Sequence, residues 1–105
     1  MKTDDNRNIL KDTKYCTLIE SAKTEVDENG YQYAIENIVV KELNRDEIRL
    51  CIYKDVENTN GITVNRLVPR PIDVTEDELI ELIKLGIQKG ILSKTFITKL
   101  SKKES

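Results

Sequence analysis

Two arginines stand beside two prolines in the segment RLVPRPIDV, which begins at Arg66. Arg70 lies between Pro69 and Pro71, so its backbone is stiff. A stiff mount lowers the entropy cost of presenting a guanidinium group to a carboxylate or a phosphate. The pattern therefore predicts one of two roles for Arg66 and Arg70: binding a partner, or forming internal ion pairs with nearby acids.

Tyr31 and Tyr33 are two positions apart, so they share one face of a predicted strand, and neighbouring predicted strands carry further tyrosines. An aromatic sheet face can stack nucleic-acid bases. Tyrosines also close the edge of an apolar core while their hydroxyl groups stay in water. Both interpretations remain open, and Tyr31 and Tyr33 join the two arginines as candidate partner-binding residues.

Lysines accumulate near the C-terminus, where the only acid after the last glycine is Glu104. Such a segment can contact phosphates, but lysine also suits helix C-termini because of the helix dipole. A solvated lysine face is the competing interpretation. The candidate nucleic-acid-binding residues are Lys94, Lys99, Lys102 and Lys103.

No motif for catalysis is present. The chain has no histidine, two cysteines far apart in sequence, and four scattered glycines. These features exclude a histidine-based catalytic triad, a zinc site built from clustered cysteines and histidines, and a glycine-rich phosphate-binding loop. The sequence therefore predicts a protein that is not an enzyme and that holds no metal or cofactor. A small acid–base enzyme or ligand-binding protein is a third option without a positive motif.

The composition predicts one cytoplasmic domain. The 105 residues are 38% hydrophobic and 34% charged, with a net charge of −2. This balance disfavours a protein that coats DNA, and no apolar run approaches the roughly 20 residues of a membrane span. Cys16 and Cys51 lie in apolar runs, which is typical of reduced, buried cysteines. The abundance of Ile, Lys and Asn suggests a bacterial or phage source.

The elements that position these residues begin with four predicted strands. Asn29-Gly30 predicts a two-residue hairpin turn, which would place Lys23 opposite Glu36. In the third strand, Ile48, Leu50 and Ile52 alternate with polar residues, which predicts that these three face the core.

Two helices are expected after the strands. Thr75 and Glu78 have the spacing of a capping box, so the first helix should begin there. Gly90 is placed to end it, and Ser93 to cap a short second helix.

These signals predict an α+β fold, with a four-stranded antiparallel meander followed by two C-terminal helices packed on one face of the sheet. Residues 1–13 would be a polar lead-in, 14–69 the sheet, 75–100 the helices and 101–105 a charged tail. The predicted function is that of an interaction or regulatory protein, acting through a protein partner or as a homodimer. The alternative is a nucleic-acid-binding module that uses the tyrosine face and the lysines.

Overall fold

The computed structural model describes residues 9–102 and has an α+β fold. Its elements are β1 (Lys11–Asp12), β2 (Cys16–Lys23), β3 (Tyr31–Val40), β4 (Arg45–Glu57), β5 (Thr63–Val68), α1 (Glu76–Gln88) and α2 (Lys94–Ser101). The strands form one antiparallel sheet in the order β1-β2-β3-β4-β5, so the predicted meander is confirmed. No helix within the described residues is long and apolar enough to cross a membrane.

The sheet has five strands rather than the four predicted. The additional strand, β1, lies inside the segment predicted as a polar lead-in and pairs with Thr17 and Leu18 of β2. A hydrogen bond of 2.8 Å from the Thr17 hydroxyl to the Asp12 carboxylate supports this pairing. A strand of two exposed residues has no hydrophobic alternation, so the sequence pattern did not reveal it.

The β2–β3 hairpin does not use the predicted two-residue turn. Within Asn29-Gly30, only Gly30 has a positive φ, at 85°. Asp27 organises a wider loop, because its side chain accepts the backbone N–H groups of Asn29 and Tyr31. The Asp27 side chain therefore satisfies two backbone N–H groups of the loop and stabilises this wider conformation.

The wider loop changes the register of the hairpin. Lys23 lies opposite Ala34 rather than Glu36, so the predicted pairing was wrong. Ser21 takes the position opposite Glu36. Since cross-strand neighbours determine which side chains can interact, this shift gives Glu36 a hydroxyl partner in place of an ammonium group.

The capping signals for both helices are confirmed. The Thr75 hydroxyl accepts the N–H of Glu78 at 3.1 Å, and the Glu78 carboxylate accepts the N–H of Thr75 at 2.8 Å. The Ser93 hydroxyl accepts the N–H of Phe96 at the start of α2. Gly90 has a φ of 73°, which stops α1 in the left-handed region, where glycine is favoured.

Helix α1 packs on β2 and β3, on the sheet face that we call the helix-covered face. Leu82 of α1 is fully buried against Ala22 and Ile35, and Leu92 completes this cluster. Phe96 of α2 packs at its margin, but α2 has no buried residue, so the predicted packing of helices on the sheet is confirmed for α1 alone. The opposite side of the sheet, which includes Glu36 and its cross-strand neighbours, is the open face.

The helix-covered face is left bare over part of β4. Of the three β4 residues predicted to face the core, only Ile52 is buried, whereas Ile48 and Leu50 are 46% and 40% exposed. The prediction failed for Ile48 and Leu50 because α1 lies over β2 and β3 and does not reach this part of β4.

Candidate functional site

A buried carboxylate lies at the centre of the open face. Glu36 is fully buried, and its Oε2 atom accepts hydrogen bonds from the hydroxyl groups of Ser21 and Tyr53, both at 2.7 Å. Its Oε1 atom accepts two more from Arg49, from Nη2 at 2.8 Å and from Nε at 3.2 Å. Both oxygens are therefore occupied by donors from the neighbouring strands β2 and β4.

The donors keep Glu36 ionised. Burial alone would raise the pKa of Glu36, but the hydrogen bonds from Tyr53, Ser21 and Arg49 hold it below its ordinary value of 4.5. Burial works against the charge of Arg49, yet the hydrogen bonds and negative charge of Glu36 outweigh it and raise the pKa of the guanidinium. The pair is thus fully charged at neutral pH.

Two further groups are held in their neutral forms beside this carboxylate. Burial, followed by the charge of Glu36, raises the pKa of Cys51 to about 12. Burial and the hydrogen bond to Glu36 likewise raise the pKa of Tyr53. Cys16 and Cys51 are both free and buried. A thiol with such a raised pKa is a weak nucleophile at neutral pH.

The polar contacts of the open face continue toward β5. Lys23 places its ammonium group 3.9 Å from the ring centre of Tyr53 and donates to the Asn65 side chain at 3.0 Å. Asn65 in turn donates to Asp55 at 2.8 Å and to Gln32 at 3.2 Å. Side chains from four strands are thereby linked in one network.

Three of the four predicted partner-binding residues lie near one another on the helix-covered face. The Arg70 guanidinium lies 5.5 Å from the ring centre of Tyr31, and the Lys54 ammonium lies 4.7 Å from it. Arg66 lies directly opposite Lys54 in the β4–β5 pairing. We call Tyr31, Lys54, Arg66 and Arg70 the Tyr31 surface. Neither arginine forms an ion pair with any residue between 9 and 102.

The fourth predicted residue, Tyr33, has a different environment. It packs against the core cluster beside α1, which agrees with the core-edge interpretation of the tyrosines. Tyr53 lies on the open face, opposite Gln32, whereas Tyr31 and Tyr33 lie on the helix-covered face. The tyrosines therefore do not form one common aromatic surface.

A pocket of about 200 Å³ lies between the first turns of α1 and the β2–β3 hairpin. Its lining residues are Thr24, Glu25, Asp27, Tyr31, Tyr33, Glu78 and Glu81. Four of the seven are acids, so the pocket favours cations and repels phosphates. Within the part of the chain that the structure describes, no cluster of His, Cys, Asp or Glu could hold a metal ion.

The candidate nucleic-acid-binding lysines do not form one stripe. Lys94 and Lys99 are exposed on α2, and five positions of a helix separate them by about 140° around its axis. Lys102 follows as the C-cap residue, and Lys103 lies outside the described residues. Lys99, in the last turn, complements the helix dipole there.

Sequence reasoning also missed the outer edge of β4. β4 has 13 residues, but β5 pairs only with its last six, Ile52–Glu57. Within residues 9–102, no strand pairs with the outer side of residues 45–51. We call this seven-residue vacancy beside β4 the notch. The available signal was Pro69, which directly follows the last residue of β5.

Comparisons with known proteins identify no relative: no family model, no curated protein and no solved structure matches the chain. The assignment of a function therefore depends on the arrangement of the chain's own residues.

Proposed function

We propose that the protein is a small, non-catalytic interaction or regulatory protein of the cytoplasm, acting through self-association or a protein partner. The observation that supports this most directly is the bare region of β4. Ile48 and Leu50 expose apolar surface on the helix-covered face, beside an edge along which no described strand pairs. Covering such surface is favourable, by roughly 25 cal/mol per Å² of apolar area removed from water.

The open face offers less to a partner. The donors and acceptors around Glu36 already satisfy one another, and among the described residues no buried side-chain nitrogen or oxygen lacks a hydrogen bond. A ligand there would have to displace internal hydrogen bonds rather than complete them. The bare region of β4 requires no such exchange.

The Tyr31 surface supports binding of a protein partner in addition. Lys54, Arg66 and Arg70 bring three positive charges together there, and none is neutralised by an ion pair with a residue between 9 and 102. An acidic segment of a partner could pair with these charges. The nucleic-acid alternative receives less support, because four carboxylates line the pocket next to Tyr31 and would repel a polyanion.

Light scattering across a concentration series tests the proposal. We expect the measured mass to rise above the 12.1 kDa of the monomer as concentration increases. The double substitution Ile48→Lys and Leu50→Lys should suppress this rise. The matched control is Leu100→Lys, since Leu100 is exposed on α2 but remote from β4. A monomer mass throughout the series would refute self-association.

A further inference from the structure

We infer that two copies of the chain pair through the notch, antiparallel, with the two-fold axis at Ile48. The inference builds on the proposed self-association and names the surface, the register and the partner. The pairing would be isologous, since each copy contributes the same strand segment. It would extend two five-stranded sheets into one continuous sheet, a common mode of β-strand addition.

The prolines explain why the notch exists. If β5 continued in its observed register, Pro69 would lie opposite Cys51 and Pro71 opposite Arg49. Positions 69 and 71 would point their N–H groups away from β4, so the missing donors do not end the ladder. The fixed φ of Pro69, at about −65°, instead suits the centre of a tight turn that bends the chain. The N–H of Arg70 turns back to the carbonyl of Val68 at 2.9 Å, which directs the chain away from β4.

At Ile48 and Leu50, the backbone of the notch presents hydrogen-bonding groups outward. The N–H of Asp55 donates to the carbonyl of Gly30, on the β3 side of β4. Hydrogen-bonding direction alternates along a strand, so the odd-numbered residues of β4 point toward β3. The N–H and C=O groups of Ile48 and Leu50 therefore point toward the notch. An antiparallel partner centred on Ile48 would form a pair of hydrogen bonds at the axis.

The other open edges carry features that discourage pairing. The uncovered part of β2 is preceded by a register shift between Leu18 and Glu20, and such bulges protect sheet edges. β5 has only six residues and is followed by Pro69. β4, in contrast, keeps an unbroken register with β3 from Arg45 to Lys54 and contains no proline or glycine.

The charges of β4 select one register. In a two-fold antiparallel pair, directly opposite residues place their side chains on the same face of the sheet only when the axis passes through a residue position. An axis at Glu47 would place the two Glu47 carboxylates opposite each other. An axis at Arg49 would do the same to the two Arg49 guanidinium groups. An axis at Ile48 instead places each Glu47 opposite the partner's Arg49, which is the favourable combination.

The same register fits the length of the notch. Ile48 is the midpoint of residues 45–51, so the partner's residues 45–51 would fill the vacancy from end to end. Ile48 would then face its own copy on the helix-covered face, with Leu50 beside it. The exposed apolar side chains of Ile48 and Leu50 and the outward backbone groups of these two residues would be covered by the same contact.

Cysteine cross-linking tests the register. Across a hydrogen-bonded antiparallel pair the Cα atoms are about 5.5 Å apart, which is within the range of a disulfide. Ile48→Cys should therefore form a disulfide-linked dimer under mild oxidation. Leu50→Cys is the matched control, because the two Leu50 positions would lie about 14 Å apart, four residues at about 3.4 Å each. The wild type, whose two thiols are buried, gives the background.

Charge reversal gives an independent test in the otherwise unmodified chain. Glu47→Lys would place a positive charge opposite the partner's Arg49 at two symmetric positions. Because like charges repel, we expect the dimer dissociation constant to rise about tenfold. Glu57→Lys changes the charge equally but lies where β5 already pairs with β4, so it should leave the dissociation constant unchanged.

The outcomes separate the register from the proposed function. Self-association with cross-linking at residue 50, or at neither residue, would overturn the inference and leave the proposed function standing. A monomer at all concentrations would overturn this inference and, with it, the proposed self-association.

Discussion

Removing Arg49 should destabilise the protein more than removing Glu36, although the two form one ion pair. The side chain of Glu36 is fully buried, whereas that of Arg49 is 30% exposed. Without Glu36 the guanidinium can turn toward water. Without Arg49 the carboxylate has no such escape, because only Ser21 and Tyr53 remain to donate to it.

The magnitudes follow from this asymmetry. Glu36→Gln keeps the shape and weakens hydrogen bonds to a charged group, which costs about 2 kcal/mol. In Arg49→Met, Glu36 can avoid a buried charge by taking up a proton. Starting from its ordinary pKa of 4.5, that costs about 3.4 kcal/mol at pH 7, at 1.36 kcal/mol per pH unit. Lost hydrogen bonds bring the total near the roughly 3–5 kcal/mol typical of a broken buried pair.

The two variants should also differ in their pH dependence. In the wild type the pKa of Glu36 is lowered, so its contribution to stability is complete above 4.5 and is lost as the pH falls through the folded-state value. In Arg49→Met the pKa of Glu36 would lie above 4.5. Stability would then increase as the pH is lowered from 7 to 5, because the folded state binds the proton more tightly.

Urea denaturation of both variants at pH 7 and pH 5 measures these effects. Arg45→Met is the control, because Arg45 forms an exposed ion pair with Glu47 on the same strand, worth at most about 1 kcal/mol. Two results would show that Glu36 is not a buried, ionised carboxylate. Either Arg49→Met is no less stable than Glu36→Gln at pH 7, or its free energy of unfolding does not increase at pH 5. The double variant should be more stable than Arg49→Met alone.

Two further predictions concern the helix start and the nucleic-acid alternative. Thr75→Ala should lower the free energy of unfolding by about 1 kcal/mol, since it removes the acceptor for the N–H of Glu78; an unchanged urea midpoint, or an equal loss in Thr75→Ser, would contradict this. Mixed-sequence DNA or RNA should show no binding below about 10 μM at physiological salt, and a salt-sensitive gel shift in that range would contradict it.

The helices could be predicted from the sequence because their signals are local. Thr75, Glu78 and Gly90 act within one or two turns of their own position, and the structure confirms each. The meander was predictable for the same reason, since short links join consecutive strands. The two-residue β1 was not, because a segment this short and exposed has no periodic pattern.

The register of the hairpin depended on a competition that the sequence does not resolve. Asn29-Gly30 is compatible with a tight turn, but the Asp27 side chain accepts two backbone N–H groups and stabilises a wider loop. The change of register then determined the partners of Glu36. The buried network could therefore not be predicted, although each of its residues is visible in the sequence.

The exposure of Ile48 and Leu50 is a second consequence that alternation alone cannot show. Alternation correctly assigns both to the same face as Ile52, yet it contains no information on how far a helix extends across that face. Helix α1 lies over β2 and β3, where Gly86 allows it to approach Ile35 closely. A Cβ atom at Gly86 would lie 3.0 Å from the Ile35 Cδ1 atom, so this close contact also fixes the position of the helix.

The two faces of the sheet are stabilised by different interactions, and this difference indicates where association should occur. On the open face, polar groups from neighbouring strands satisfy one another around Glu36, so a partner would gain little there. On the helix-covered face, α1 leaves Ile48 and Leu50 bare, and Pro69 ends β5 where it would otherwise extend beside them. Apolar surface and an open backbone edge thus coincide at the notch. Since open strand edges are usually protected in a monomer, exposed apolar surface beside this edge favours a strand from a second molecule over water as the neighbour of β4.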